Sequence, residues 1–135
     1  MKEQLLATLE NSKTYTLAVA DAMPEKMYGT KPSKDVWDFR ELLNHIAYGI
    51  QWWEANYVKG NKTEWTPPQA KSNKKETASY LEDAYMALQK TLESSTLDDE
   101  KIRGFFATLD HITHHRGQAV TYLRYAGITP PEYTY

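Results

Sequence analysis

Asp98 to Gly127 reads DDEKIRGFFATLDHITHHRGQAVTYLRYAG, and the distribution of its side chains around a helix decides the fold. At about 100° per residue, the large apolar residues Ile102, Phe105, Leu109, Val120 and Leu123 gather on one arc with Ile112 at its edge. His111 and His115, spaced i and i+4, share the neighbouring arc with Gly104, Thr108, Ala119 and Tyr122, mostly small side chains that leave volume beside two imidazoles. His114 lies roughly 60 to 100° around from both, near Arg103, Asp110 and Thr121 on the polar side. A helix with an apolar arc, a histidine arc and a narrow charged strip is expected to be buried on two sides, one against the core and one against a second subunit. Asp98, Asp99 and Glu100 favour the positive end of the helix dipole, and Gly127 with Pro130-Pro131 ends the helix near Ala126.

Upstream, three more blocks carry apolar residues at helical spacing, and none shows the strict alternation of a half-buried strand. The first runs from about Lys2 to Ala22 and breaks at Met23-Pro24. After a connector holding Gly29 and Pro32, a second helix is expected to open near Ser33 or Asp35, either a possible cap, and to continue through Leu42, Leu43, Ile46 and Ile50 to about Tyr57. Lys59 to Asn73 is a long polar connection with Gly60 and Pro67-Pro68. A third helix covers about Lys74 to Ser95. Four such helices in one chain predict an all-α four-helix bundle occupying 1–135 as one domain, with a long connection between helices two and three.

Composition narrows the function. Sixteen Lys plus Arg against 18 Asp plus Glu give a net charge of −2, so no global field draws the chain to nucleic acid or to an anionic membrane. The N-terminus has no signal-peptide pattern and no apolar run reaches membrane-spanning length, which makes a cytoplasmic protein the expectation. Cysteine is absent, which excludes disulfides, a thiolate nucleophile and Cys-ligated metals. Ten Tyr and four Trp supply material for a core, a pocket wall or an interface.

The histidines carry the chemistry. His111 and His115 can aim at one point, as the pair in H-E-x-x-H does, and the bland alternative is a surface or interface His pair. His45 stands alone in Leu42-Leu43-Asn44-His45-Ile46-Ala47. A single mid-helix His is more commonly a hydrogen-bonded structural residue, but beside a His pair in a bundle it becomes a candidate third ligand. Three neutral imidazoles on two helices suit Zn²⁺, Ni²⁺, Fe²⁺ or Mn²⁺ and leave coordination positions open. Ile112 stands where a zincin-type protease has its Glu, and the repeated Glu-x-x-His of a di-iron bundle is missing. Arg116 reads as a holder of an anionic substrate group or as a core or interface salt bridge. Gln118 reads as an acceptor for an imidazole N–H or as a plain surface amide. Trp37, Trp52, Trp53 and Tyr48 are candidates for an apolar cleft, and no general acid or base is evident, since Asp110 rotates away from the pair.

The string His111-Ile112-Thr113-His114-His115-Arg116-Gly117-Gln118, the Leu42-Leu43-Asn44-His45 segment and the ending Gly127-Ile128-Thr129-Pro130-Pro131-Glu132-Tyr133 together resemble the DinB/YfiT-like family over essentially the whole chain. The resemblance implies a four-helix bundle with His45, His111 and His115 as ligands of a divalent metal, often in a homodimer. It also implies a small-molecule substrate, since characterised relatives are transferases and isomerases that use low-molecular-weight thiols such as bacillithiol or mycothiol. The expected function is a metal-dependent hydrolase or low-molecular-weight-thiol S-transferase. The alternative is a non-catalytic metal- or ligand-binding dimeric bundle in which the ion ties helix two to helix four.

Overall fold

The computed structural model describes residues 1–135 and is all-helical. Helix α1 spans Lys2–Ala22, a 3₁₀ turn follows at Glu25–Met27, α2 spans Phe39–Trp53 and runs into a π turn at Glu54–Val58, α3 spans Lys74–Ser94, and α4 spans Asp99–Tyr125. Each of α1 and α2 packs on both α3 and α4. No helix is long and apolar enough to cross a membrane.

Helix α2 opens later than the Ser33 or Asp35 expected from sequence. Its cap is Asp38, whose side chain accepts from the Glu41 amide at 2.8 Å while the Glu41 carboxylate accepts from the Asp38 amide at 3.3 Å. The first-turn amides of Phe39 and Arg40 are taken at 2.9 Å by the carbonyls of Thr30 and Tyr28 in the connector. With those donors committed, residues 31–37 turn instead of coiling, and Trp37 is left outside the helix. Asn73 and Asp98 cap α3 and α4 through the amides of Glu76 and Lys101. At the far end of α4, Gly127 adopts φ 80°, its amide bonds the Arg124 carbonyl, and the Ile128 amide reaches Leu123 at 2.9 Å. That is a Schellman ending, in which glycine avoids the steric penalty of positive φ.

Leu42, Leu43, Ile46, Ala47 and Ile50 of α2 meet Leu81, Leu88 and Leu92 of α3 and Phe105, Ile112 and Leu123 of α4 in one continuous core, all essentially inaccessible. Truncating any of the larger aliphatic ones to alanine is expected to cost about 2–5 kcal/mol. The consequence for function is rigidity: both helices that carry the histidines are fixed by this packing.

Candidate metal centre

His45 sits on α2 one turn beyond Glu41 and one turn before Gly49, and His111 and His115 face it from α4. All three imidazoles are half-buried, and their candidate ligand nitrogens lie within 4.8 Å of one another. The Nε2 of His45 is 2.9 Å from that of His111 and 3.0 Å from that of His115. Two nitrogens held about 2.1 Å from one ion stand roughly 3.0 to 3.4 Å apart for angles from square to tetrahedral, so the separations match shared coordination.

The proton inventory points the same way. His115 Nδ1–H donates to Gln118 Oε1 at 2.8 Å, which leaves its Nε2 as a bare lone pair. A single hydrogen on His45 Nε2 cannot serve both of its short contacts well. His111 Nδ1 is buried with no hydrogen-bond partner, a loss of about 1–3 kcal/mol that ligation at its Nε2 would offset. Burial and repulsion from His115 hold His45 down at about 4. Burial and the neighbouring histidines do the same to His111, also to about 4. His115 is lowered by burial, with the Gln118 hydrogen bond opposing. All three therefore present neutral imidazoles at neutral pH, the form that binds a metal.

Gly49 is what admits the third ring. A Cβ built there would collide with His111 Cε1 and lie 2.6 Å from its Nδ1, so any larger residue would push the imidazole out of place. Indoles wall the cluster: the ring centre of Trp37 is 4.4 Å from that of His45, Trp53 is 4.9 Å from His111, and Trp65 is 5.5 Å from His45. Trp37 is held through its carbonyl, which accepts from the Tyr122 hydroxyl at 2.7 Å. Trp65 comes from the long connection, which is strapped to α2 and the π turn at three points. The Thr66 amide donates to Tyr48 Oη, the Thr63 amide to Asn56 Oδ1 and the Lys71 amide to Asn44 Oδ1, each at 2.8 Å. On either side of Trp37 a cleft leads in. One, about 210 Å³, is lined by Glu41, His45, Tyr48 and Tyr80. The other, about 460 Å³, is lined by Lys34, Asp35, His115, Gln118 and Tyr122.

Two solved structures share this architecture. A DinB-like protein from Bacillus cereus ATCC 10987 aligns with a TM-score of 0.81 and 19% identity, covering 96% of this chain and 95% of that one. A DinB-like protein from Bacillus subtilis aligns with a TM-score of 0.77 and 20% identity, covering 97% and 98%. At such identities the likeness is one of fold, and the sequence link comes from residues 106–135, which match the DinB family model. The chain is thus similar to DinB-like proteins in fold, and in sequence over that segment. No curated protein matches it. The matched segment contributes His111 and His115, whereas His45 lies outside it.

Of the residues singled out from sequence, His45, His111, His115, Gln118, Trp37 and Trp53 come together at the cluster. His114 stays out: it is exposed and touches only the outer edge of His115, with ring centres 4.7 Å apart. Asp110 is exposed on α4. Trp52 packs on Trp53 and Trp65 and contributes to the wall at one remove. Arg116 turns away into the bundle and forms no salt bridge; its partners are neutral. Sequence reasoning missed Gly49, Trp65 and Glu41. Gly49 stands four residues from His45, a spacing that could have flagged it.

Proposed function

We propose that this DinB-like chain binds one divalent ion, Zn²⁺, Ni²⁺, Fe²⁺ or Mn²⁺, through His45, His111 and His115, and uses it in transferring a low-molecular-weight thiol to a small electrophile, with hydrolysis as the second reading. The convergence of three neutral Nε2 atoms, two of the contacts at 2.9 and 3.0 Å, carries the proposal. A bound ion would lower the pKa of a thiol or water at its open positions.

The protein's own groups favour the thiol. Water needs a base to take its second proton or to position it, and the carboxylate sharing a cleft with His45, Glu41, already accepts from the Asp38 amide in the helix cap. A thiol starts much closer to neutral in its pKa and needs less help. Trp37, Trp53 and Trp65 offer flat apolar surface to an electrophile. Gln118 fixes the tautomer and aim of His115, and Gly49 seats His111. The absence of cysteine suits a cytoplasmic enzyme whose thiol arrives as substrate. A homodimer is part of the reading, because on α4 Ile102, Leu109 and Val120 are only partly buried and Phe106 is 50% exposed on the adjoining arc.

Protein purified without a His tag should carry or take up about one ion per chain, and Zn²⁺ or Ni²⁺ should raise its Tm; His115→Ala should abolish both effects. Metal bound by the His115→Ala variant at wild-type stoichiometry would sink the assignment. Wild-type protein that binds metal yet neither conjugates thiols to an electrophile panel nor cleaves esters and amides in a metal-dependent way would leave the ion as a tie between α2 and α4.

A further inference from the structure

Arg116 is the next residue after His115, and its side chain points to the opposite half of the bundle. It is a buried cation, 5% exposed, held between α4 and α1. Its Nη1 donates to Ser12 O at 3.3 Å, Ser12 Oγ at 3.4 Å and Thr16 Oγ1 at 3.2 Å, and its guanidinium carbon lies 4.7 Å from the centre of the Tyr15 ring. Every one of these partners is neutral. The Tyr85 hydroxyl, which shares the same Ser12 and Thr16 oxygens, is pushed up by burial and stays a phenol at neutral pH. The ion pairs of the molecule join Lys13 to Glu10, Lys59 to Glu54, Lys74 to Asp21 and Lys101 to Asp98, so no side-chain carboxylate pairs with Arg116. A charge removed from water without a counter-ion is unfavourable, and folded chains rarely leave one.

The unused side of this guanidinium opens outward. Nε and Nη2 donate to nothing in the protein, and two small clefts of about 180 and 120 Å³ lie against Arg116, both lined also by Thr113 and Tyr133. Tyr15, Val120 and Gly117 complete the larger one. Gly117 has open space where a side chain would be, so the floor is clear. The Thr113 hydroxyl makes no hydrogen bond within the chain and adds a further donor at the rim. Tyr133 meets Tyr15 edge to face, ring centres 5.2 Å apart, and the pair supplies an aromatic wall.

We propose that this cleft between α1, α4 and the segment after α4 is an anion subsite for a carboxylate carried on an apolar or aromatic group. Nε–H and Nη2–H of Arg116 offer the paired donors that a carboxylate accepts, Thr113 Oγ1 offers a third, and the tyrosines contact the apolar body. The carboxylate belongs either to a small molecule or to a second copy of this chain, whose approach would use the partly buried arc of α4 next to the cleft. The subsite is independent of any metal, since the histidines face the other side of α4.

The test uses wild-type protein with ¹⁵N-labelled arginine and benzoate as the probe. Of the four arginines, Arg116 is the buried one, and its Nε–H signal is assigned by its absence from the spectrum of an Arg116→Lys variant. Benzoate should shift that signal saturably at constant ionic strength, and the neutral isostere benzamide should not. Thr113→Val, at an exposed position that leaves the core intact, should weaken benzoate by about tenfold, the effect of one hydrogen bond to a charged group. No saturable shift, an equal response to benzamide, or a Thr113→Val affinity equal to wild type would each overturn the proposal. Sedimentation of the same samples separates the sources: benzoate dissociating a dimer identifies the carboxylate of a second copy, and an unchanged mass alongside the shift identifies a small molecule.

Discussion

Two polar clusters sit on opposite sides of α4, and they treat their hydrogen-bonding groups differently. Around Tyr85, on the α1 side, the hydroxyl lies 2.9 Å from Ser12 Oγ and 2.8 Å from Thr16 Oγ1, and Arg116 Nη1 donates to the same oxygens, so these hydroxyls are knitted together by their own chain and only the Nε–Nη2 edge of Arg116 is left over. Around His45, on the α2 side, three nitrogens converge with too few hydrogens between them, and one further ring nitrogen is buried without a partner. Buried polar groups that serve the fold find partners within it, and those that serve a ligand are left short until it arrives.

The sharpest way to break this contrast is Gly49→Ala. Alanine should favour α2 by about 0.5–1 kcal/mol through helix propensity, but its methyl displaces the His111 ring. Metal affinity is therefore expected to fall by about 10- to 100-fold while the helical circular dichroism is unchanged. Titration calorimetry showing wild-type affinity in this variant would mean that His111 is not a ligand. Tyr85→Phe probes the other cluster. It leaves Ser12 and Thr16 each short of one partner and should lower stability by about 1–3 kcal/mol in urea unfolding with metal affinity unaltered. A loss of metal binding there would show that the two halves are coupled.

The last expected effect is one of pH. His45 and His111 are held at about 4 in the folded apoprotein and return to about 6.5 when unfolded. Between those values the unfolded chain binds more protons, so stability is full above about pH 6.5, declines as pH falls, and stops changing from this source below about pH 4. Metal-free protein should thus lose Tm across that window more steeply than a His45→Gln/His111→Gln variant. Parallel curves would remove the histidines as the cause.

Much of this architecture could be read from the chain because periodic burial leaves a periodic record. The four helices, the His111/His115 pair and the exclusion of His114 all follow from rotation about α4. Helix α2 was harder to place: Ser33 and Asp35 both resemble caps, and only the Thr30 and Tyr28 carbonyls, which meet the first amides in three dimensions, select Asp38. Gly49 hid because a mid-helix glycine reads locally as a propensity loss, while its purpose lies across the interface on α4. Trp65 hid because a loop has no period, and its place over His45 depends on hydrogen bonds that join residues 7 to 27 positions apart in sequence. Arg116 showed the opposite difficulty, since its angular position gave its direction but not the neutrality of its surroundings.

The division of labour between helices and strap bears on how such a protein can change over generations. All three histidines issue from core-packed helices, whereas Trp65 is presented by a connection fastened to α2 through Asn44 and Tyr48 and to the π turn through Asn56. Substitutions or length changes between those fastenings alter what can approach the histidines and leave the histidines where they are. What the rim admits is thereby free to drift while the centre is inherited intact, and chains that share these three histidines need not share what they bind.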